Sequence, residues 1–112
     1  MPSLLVIQGR NRGARFDLDV LEGAVGIGRE SGNVVQLDDN EVSRRHAELR
    51  PADGAHVIVD LTSSNGTFVN GRRVERAILA PGDQVLVGRT VLSYVSAPRG
   101  VQETVDPVEV GE

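Results

Sequence analysis

Apolar and polar positions alternate with a period of two along most of this chain, and no stretch carries the spacing of an amphipathic helix. Leu4-Leu5-Val6-Ile7 opens as a buried strand. Ala14 to Leu18 alternates, and Ala24 to Ile27 is short and apolar. Val34 to Leu37, Ala47 to Leu49, His56 to Val59 and Thr67 to Val69 follow. Arg76 to Leu79, Gln84 to Val87 and Val91 to Val95 complete a set of about ten predicted strands. Turn chemistry separates them. Gly9 to Gly13, Asp53-Gly54, Asn65-Gly66, Asn70-Gly71 and Pro81-Gly82-Asp83 supply the backbone freedom and positive φ that tight reversals need. The pattern predicts an all-β sandwich or barrel.

After Ser96 the alternation stops. Residues 97–112 combine Pro, Gly and acids with isolated valines, the composition of a flexible tail or a linker to a further domain. Residues 1–96 are then one domain, and 112 residues suffice for a modest core. Apolar residues make up 39% and aromatic residues 3%, so that core must come from Val, Leu, Ile and Ala. No apolar run is long enough to span a membrane. The opening MPSLLVIQGR lacks the layout of a secretory signal, and cysteine is absent. Together these lead to an expectation of the cytoplasm, with no membrane partner.

Charge narrows the chemistry. The net charge is −4. In residues 99–112, Arg99 stands against Glu103, Asp106, Glu109 and Glu112, which leaves residues 1–98 with a single net negative charge. An almost neutral domain does not suit nucleic acid, whose phosphate backbone demands a basic surface. All twelve basic residues are arginine. The planar guanidinium fork matches phosphate and carboxylate better than an ammonium does, so any anion site here is built from arginine.

Three short motifs stand out. GAVGIGRE, residues 23–30, is glycine-rich but precedes Ser31-Gly32-Asn33 and another strand, whereas nucleotide loops feed a helix. Its informative part is Gly28-Arg29, just beyond a buried strand. Ser43-Arg44-Arg45-His46 offers a hydroxyl, two guanidiniums and an imidazole. Ser43 and His46 are three apart, which in a strand sets them on opposite faces and separates a nucleophile from its base. Two histidines without cysteine make a poor metal site, and nothing calls for a cofactor. Thr62-Ser63-Ser64-Asn65-Gly66 offers small polar donors on a loop held between strands, followed by Thr67 and by Asn70-Gly71.

In this order and at these distances, Gly28-Arg29, Ser43-Arg44-x-His46, Ser63-x-Asn65-Gly66-Thr67 and Asn70-Gly71 closely resemble the forkhead-associated (FHA) domain family. The resemblance covers residues 3–96. It implies a twisted β-sandwich of about eleven mostly antiparallel strands that binds phosphothreonine peptides through loops at one end and carries no catalysis. By the same resemblance, Arg29 and Ser43 would contact the phosphate, with Arg44 adding charge and Ser64 a hydroxyl. Asn65 would hold the peptide backbone. His46 and Asn70 would brace the loops, and Gly28, Gly66 and Gly71 would provide turns. The implied partner is a phosphothreonine-containing protein of Ser/Thr kinase signalling. A chain that kept the fold but lost the pocket would instead be a phosphate-independent scaffold, a reading that intact Arg29, Ser43 and Asn65 oppose.

Peptide choice is expected to come from residues 38–42 and 71–76, both read as variable loops. Glu41 opposes an acidic residue three positions after the phosphothreonine, and Arg72, Arg73 and Arg76 favour one. Thr104, flanked by acid in the tail, is a candidate phosphorylation site whose docking would be in trans, since the family's termini lie away from its recognition loops.

Overall fold

A computed structural model describes residues 2–18 and 23–96. The expected tail, residues 97–112 with Thr104, lies outside the described residues. Eleven strands follow in chain order: β1 (Pro2–Gln8), β2 (Arg15–Asp17), β3 (Val25–Gly28), β4 (Val35–Gln36), β5 (Ala47–Ala52), β6 (Ala55–Asp60), β7 (Thr67–Val69), β8 (Arg72–Val74), β9 (Arg76–Leu79), β10 (Gln84–Val87) and β11 (Thr90–Ser96). They form a six-stranded sheet ordered β2-β1-β11-β10-β7-β8 and a five-stranded sheet ordered β4-β3-β5-β6-β9. The β3–β4 pair is parallel, and the other described pairs are antiparallel.

Ten of these strands coincide with the predicted ones. The eleventh, β8, falls inside the stretch 71–76 that reads as a loop. Its residues Arg72, Arg73 and Val74 carry too little apolar signal to announce a strand. The Asn70-Gly71 turn creates it: both residues take positive φ, 52° and 83°, which suits the primed turn of a two-residue hairpin. That turn folds β8 back on β7 in the register Phe68↔Arg73.

The inward residues of both sheets interdigitate to form the core. Leu4, Val6, Val85, Val87 and Leu92 come from one sheet, and Val25, Ile27, Ala47, Leu49, Ile58 and Leu79 from the other. A polar contact crosses the core between the layers. The Tyr94 hydroxyl on β11 lies 2.9 Å from Nδ1 of His56 on β6, and the two rings meet edge to face with centroids 5.7 Å apart. Both residues are buried. Burial pushes the His56 pKa down from its ordinary 6.5 and the Tyr94 pKa up from 10.0.

The signs of those shifts make a test. Below about pH 6.5 the unfolded chain takes up the His56 proton before the folded chain does, so stability falls with pH there. Above about pH 10 the unfolded chain loses the Tyr94 proton first, and stability falls again. Urea midpoints measured across this range should peak between those limits. An NMR titration placing His56 at or above 6.5 would contradict the account.

Candidate functional site

At one end of the sandwich, three loops converge: 29–34 after β3, 37–46 before β5, and 61–66 between β6 and β7. The predicted site residues Arg29, Ser43, Arg44, Ser64 and Asn65 all sit on them.

The convergence begins with a missing side chain. A Cβ at Gly28 would lie 2.1 Å from the Arg44 carbonyl oxygen. Gly28 therefore supplies clearance between β3 and the Ser43–Arg44 backbone, not the turn expected of it. Through that clearance the two loops pair. Arg29 N–H donates to Ser43 O at 3.0 Å, and Glu30 N–H to Arg44 O at 3.1 Å. Asn33 completes the seam, its Nδ2 donating to both Glu30 O and Arg44 O at 2.7 and 2.8 Å.

His46 joins the remaining loop. It is fully buried. Ser43 N–H donates to its Nδ1 at 3.0 Å, so Nδ1 carries a lone pair and the proton resides on Nε2. Nε2–H then donates to the Gly66 carbonyl at 2.9 Å. Residues 43–46 form a turn, not the strand that the opposite-faces reading presumed. Ser43 and His46 do meet, but through the serine's backbone N–H. The imidazole is a brace, and no nucleophile–base pair exists here.

The Ser43 hydroxyl accepts from Ser64 N–H at 3.0 Å, leaving its own proton to donate elsewhere. Arg29 is aimed by a bond from Nε to Val42 O at 3.0 Å, which leaves its terminal nitrogens to face outward. Arg29 and Arg44 take part in none of the ion pairs among the described residues. Asn65 Nδ2 donates to Glu41 O at 2.8 Å, so half of its amide ties loop to loop and its oxygen stays open. The sum is a small surface with two unpaired guanidiniums and two hydroxyls, able to bind one compact anion.

Two carboxylates unanticipated from sequence hold this surface in place. Asp60 accepts from Ser63 N–H, the Ser63 hydroxyl and the Thr67 hydroxyl, and the Ser63 hydroxyl in turn accepts from Gly66 N–H. Partial burial works against ionisation of Asp60, but those donors outweigh it and hold its pKa below the ordinary 3.8. Asp39 accepts from Glu41 N–H, Arg89 N–H and the Thr90 hydroxyl, tying loop 37–46 to the β10–β11 turn. Burial again opposes ionisation, and again these bonds and the Arg89 charge leave the pKa lowered. Arg89 also pairs with Glu41 at 3.0 Å, offsetting the charge that opposed an acidic peptide residue. The sequence signal was an Asp three residues before a Ser, a spacing suited to side-chain capping of a turn.

Gly66 takes φ 87°, as a turn glycine does. Asn70 and Gly71 are not brought to this end. Asn70 binds Asp83 and Gln84 across the β9–β10 turn, one strand length away at the far end of β7. It braces the sheet there, so any support it gives the recognition loops passes through β7. Arg45 points elsewhere, lining a depression with Glu30, Asn33 and Glu48. Among the described residues no group of three or more His, Asp or Glu is placed to hold a metal. No described helix is long and apolar enough to cross a membrane.

Residues 25–88 match the family described as FHA domain. The chain belongs to the FHA-domain family. Glycogen accumulation regulator GarA of Mycolicibacterium smegmatis is 43% identical over 96 residues, covering 86% of this FHA chain and 60% of that protein. The oxoglutarate dehydrogenase inhibitor of Corynebacterium diphtheriae is also 43% identical over 96 residues, covering 86% of this chain and 66% of the relative. The chain thus spans 60–66% of the length of these two relatives. An FHA domain solved in a structural and functional analysis of phosphothreonine-dependent FHA domain interactions superposes with a TM-score of 0.75 at 33% identity, covering 87% of this chain and 97% of that one.

The geometry separates bracing from binding. His46→Ala should orphan Ser43 N–H and Gly66 C=O together, costing about 2–6 kcal/mol at roughly 1–3 per group. Arg29→Ala should cost less, about 0.5–1.5 kcal/mol for the lost bond to Val42 O. Chemical denaturation of the two variants checks both, and equal losses would contradict the division.

Proposed function

We propose that this chain is a non-catalytic phosphothreonine-peptide-binding module that brings phosphorylated proteins of Ser/Thr kinase signalling to whatever it is attached to. The observation that supports this reading is that the loops bearing Arg29, Ser43, Arg44, Ser64 and Asn65 are tied together at one end of the sandwich by the Arg29–Ser43, Ser64–Ser43 and Asn65–Glu41 bonds. Phosphothreonine carries about −1.5 to −2 charges and three acceptor oxygens. Two guanidiniums supply charge-assisted bonds, roughly twice as strong as neutral ones. Two hydroxyls supply donors without bulk. The Asn65 oxygen supports the role of holding an extended peptide through a backbone N–H.

The relatives' names, a regulator and an inhibitor, support a module that acts by binding. A near-neutral domain with local arginines favours one phosphate over a polyanion. The cytoplasm, where protein kinases meet their substrates, fits this role. Preference for phosphothreonine over phosphoserine, which the family implies, would need only a small contact with the methyl group. One methyl is worth about 0.8 kcal/mol by burial, a several-fold effect.

Titration with a phosphothreonine peptide library should give micromolar dissociation constants, about −8 kcal/mol. The unphosphorylated library should bind at least tenfold more weakly. Arg29→Ala should lose about 2 kcal/mol, roughly thirtyfold, through removal of a charge-assisted contact. Equal binding of phosphorylated and unphosphorylated peptides would sink the reading.

A further inference from the structure

One flank of the recognition end carries features that phosphate binding does not use. The edge strand β9 pairs with β6 on one side, and no described strand pairs with the other. Asp60 N–H donates to Glu75 O at 2.9 Å, and the register continues Ile58↔Ala77 and His56↔Leu79. Alternation along an antiparallel ladder therefore gives the β6 bonds to Ala77 and Leu79 and turns the N–H and C=O of Arg76 and Ile78 toward the open edge. The side chains alternate likewise. Ala77 and Leu79 face inward, while Arg76 and Ile78 face out, with Ile78 73% exposed.

This edge is continuous with the recognition loops. A groove of about 610 Å³ lies between them, lined by Val59, Thr62, Ser63, Arg73, Glu75 and Arg76 among others. The Arg73 guanidinium lies against Gly66, the residue after Asn65, close enough that a Cβ there would sit 2.8 Å from Nε. Arg72, Arg73 and Arg76 belong to none of the ion pairs among the described residues. Thr62, a β-branched residue, is held at φ 60° beside the groove. Such strain costs on the order of 1–3 kcal/mol and persists where the surroundings impose it.

We infer that the groove and the β9 edge bind a second, extended segment of the same phosphorylated partner, added as a sixth strand to the five-stranded sheet. The inference rests on the phosphothreonine reading and extends it. Chemistry specifies the segment. Side chains two apart on the added strand lie beside Arg76 and Ile78 on the outer face, so the segment carries an acidic residue and an apolar residue spaced i, i+2. Main-chain bonds to Arg76 and Ile78 give affinity, and the two side chains give selection. A second copy of this chain fits poorly, because a two-fold contact would set the same arginine strip against itself.

The test compares a short synthetic phosphothreonine peptide with versions extended by about eight residues of alternating Glu-Ser-Val-Ser, placed before or after the phosphothreonine. One extended peptide should bind about tenfold more tightly than the short one, a gain of about 1.4 kcal/mol. Ile78→Ser should abolish that gain while leaving the short peptide within about twofold, and amide exchange at Ile78 should slow only with the extended peptide. If the short peptide binds but neither extension adds affinity, or if Ile78→Ser weakens short and extended peptides alike, the inference fails and the phosphothreonine reading stands. If phosphorylation makes no difference to the short peptide, that reading fails first. A dimer in sedimentation that Ile78→Ser converts to monomer would assign the edge to a second copy and overturn the inference.

Discussion

The binding surface depends on one buried imidazole. His46 lends one ring nitrogen to the Ser43 turn and the other to the 61–66 loop, while its backbone N–H donates to Ile27 O on β3 and its C=O accepts from Leu61 N–H at the start of that same loop, both at 2.9 Å. A single neutral ring thus sets the spacing of β3, the Ser43 turn and the Ser64–Asn65 loop. Neutrality is part of the design. A proton on Nδ1 would place two donors face to face at Ser43 and open the joint between the loops.

Around that joint, charge is distributed with a division of labour. The carboxylates turn inward and serve as acceptors for backbone N–H groups and hydroxyls, as Asp39 and Asp60 do. Several arginines remain unpaired and point outward. Bonds of this kind consume the charge of Asp39 and Asp60, so an almost neutral chain can keep arginines outside any described ion pair beside them. In the proposed reading an incoming phosphate would meet guanidiniums that surrender no described ion pair, and a Ser43 hydroxyl whose acceptor side is already occupied. Little reorganisation stands between the free surface and a bound one.

The fold was largely legible because its strands alternate cleanly and its turns carry Asn-Gly or Asp-Gly. The site was legible as a set of motifs, and the structure brings Arg29, Ser43, Arg44, Ser64 and Asn65 to one end. What escaped the sequence depended on distances between segments. Gly28 looks like a turn residue until the Arg44 carbonyl is found packed on its face. Asn70 follows the Asn65 loop so closely that it reads as a neighbour, yet β7 carries it to the other end. Strand β8 is hidden by its two arginines, whose side chains need no core. Asp60 and Asp39 were missed because an acid that caps a loop and an acid that faces water share the same letter, and the Asp60–Ser63 spacing alone does not separate the two. The Ser43–His46 turn shows the opposite error: a strand periodicity was extended into a loop, and two residues in contact were read as far apart.

Strand β5 carries the chain away from His46 for six residues, about 20 Å, to the Asp53-Gly54 reversal. There both residues take positive φ, and a Cβ at Gly54 would meet nothing within 4 Å. The bend sets itself by local backbone preference and carries none of the bonds that shape the loops. It is an attachment point: a dye, a surface tether or an inserted peptide could be grafted there while the opposite end stays free to read its target.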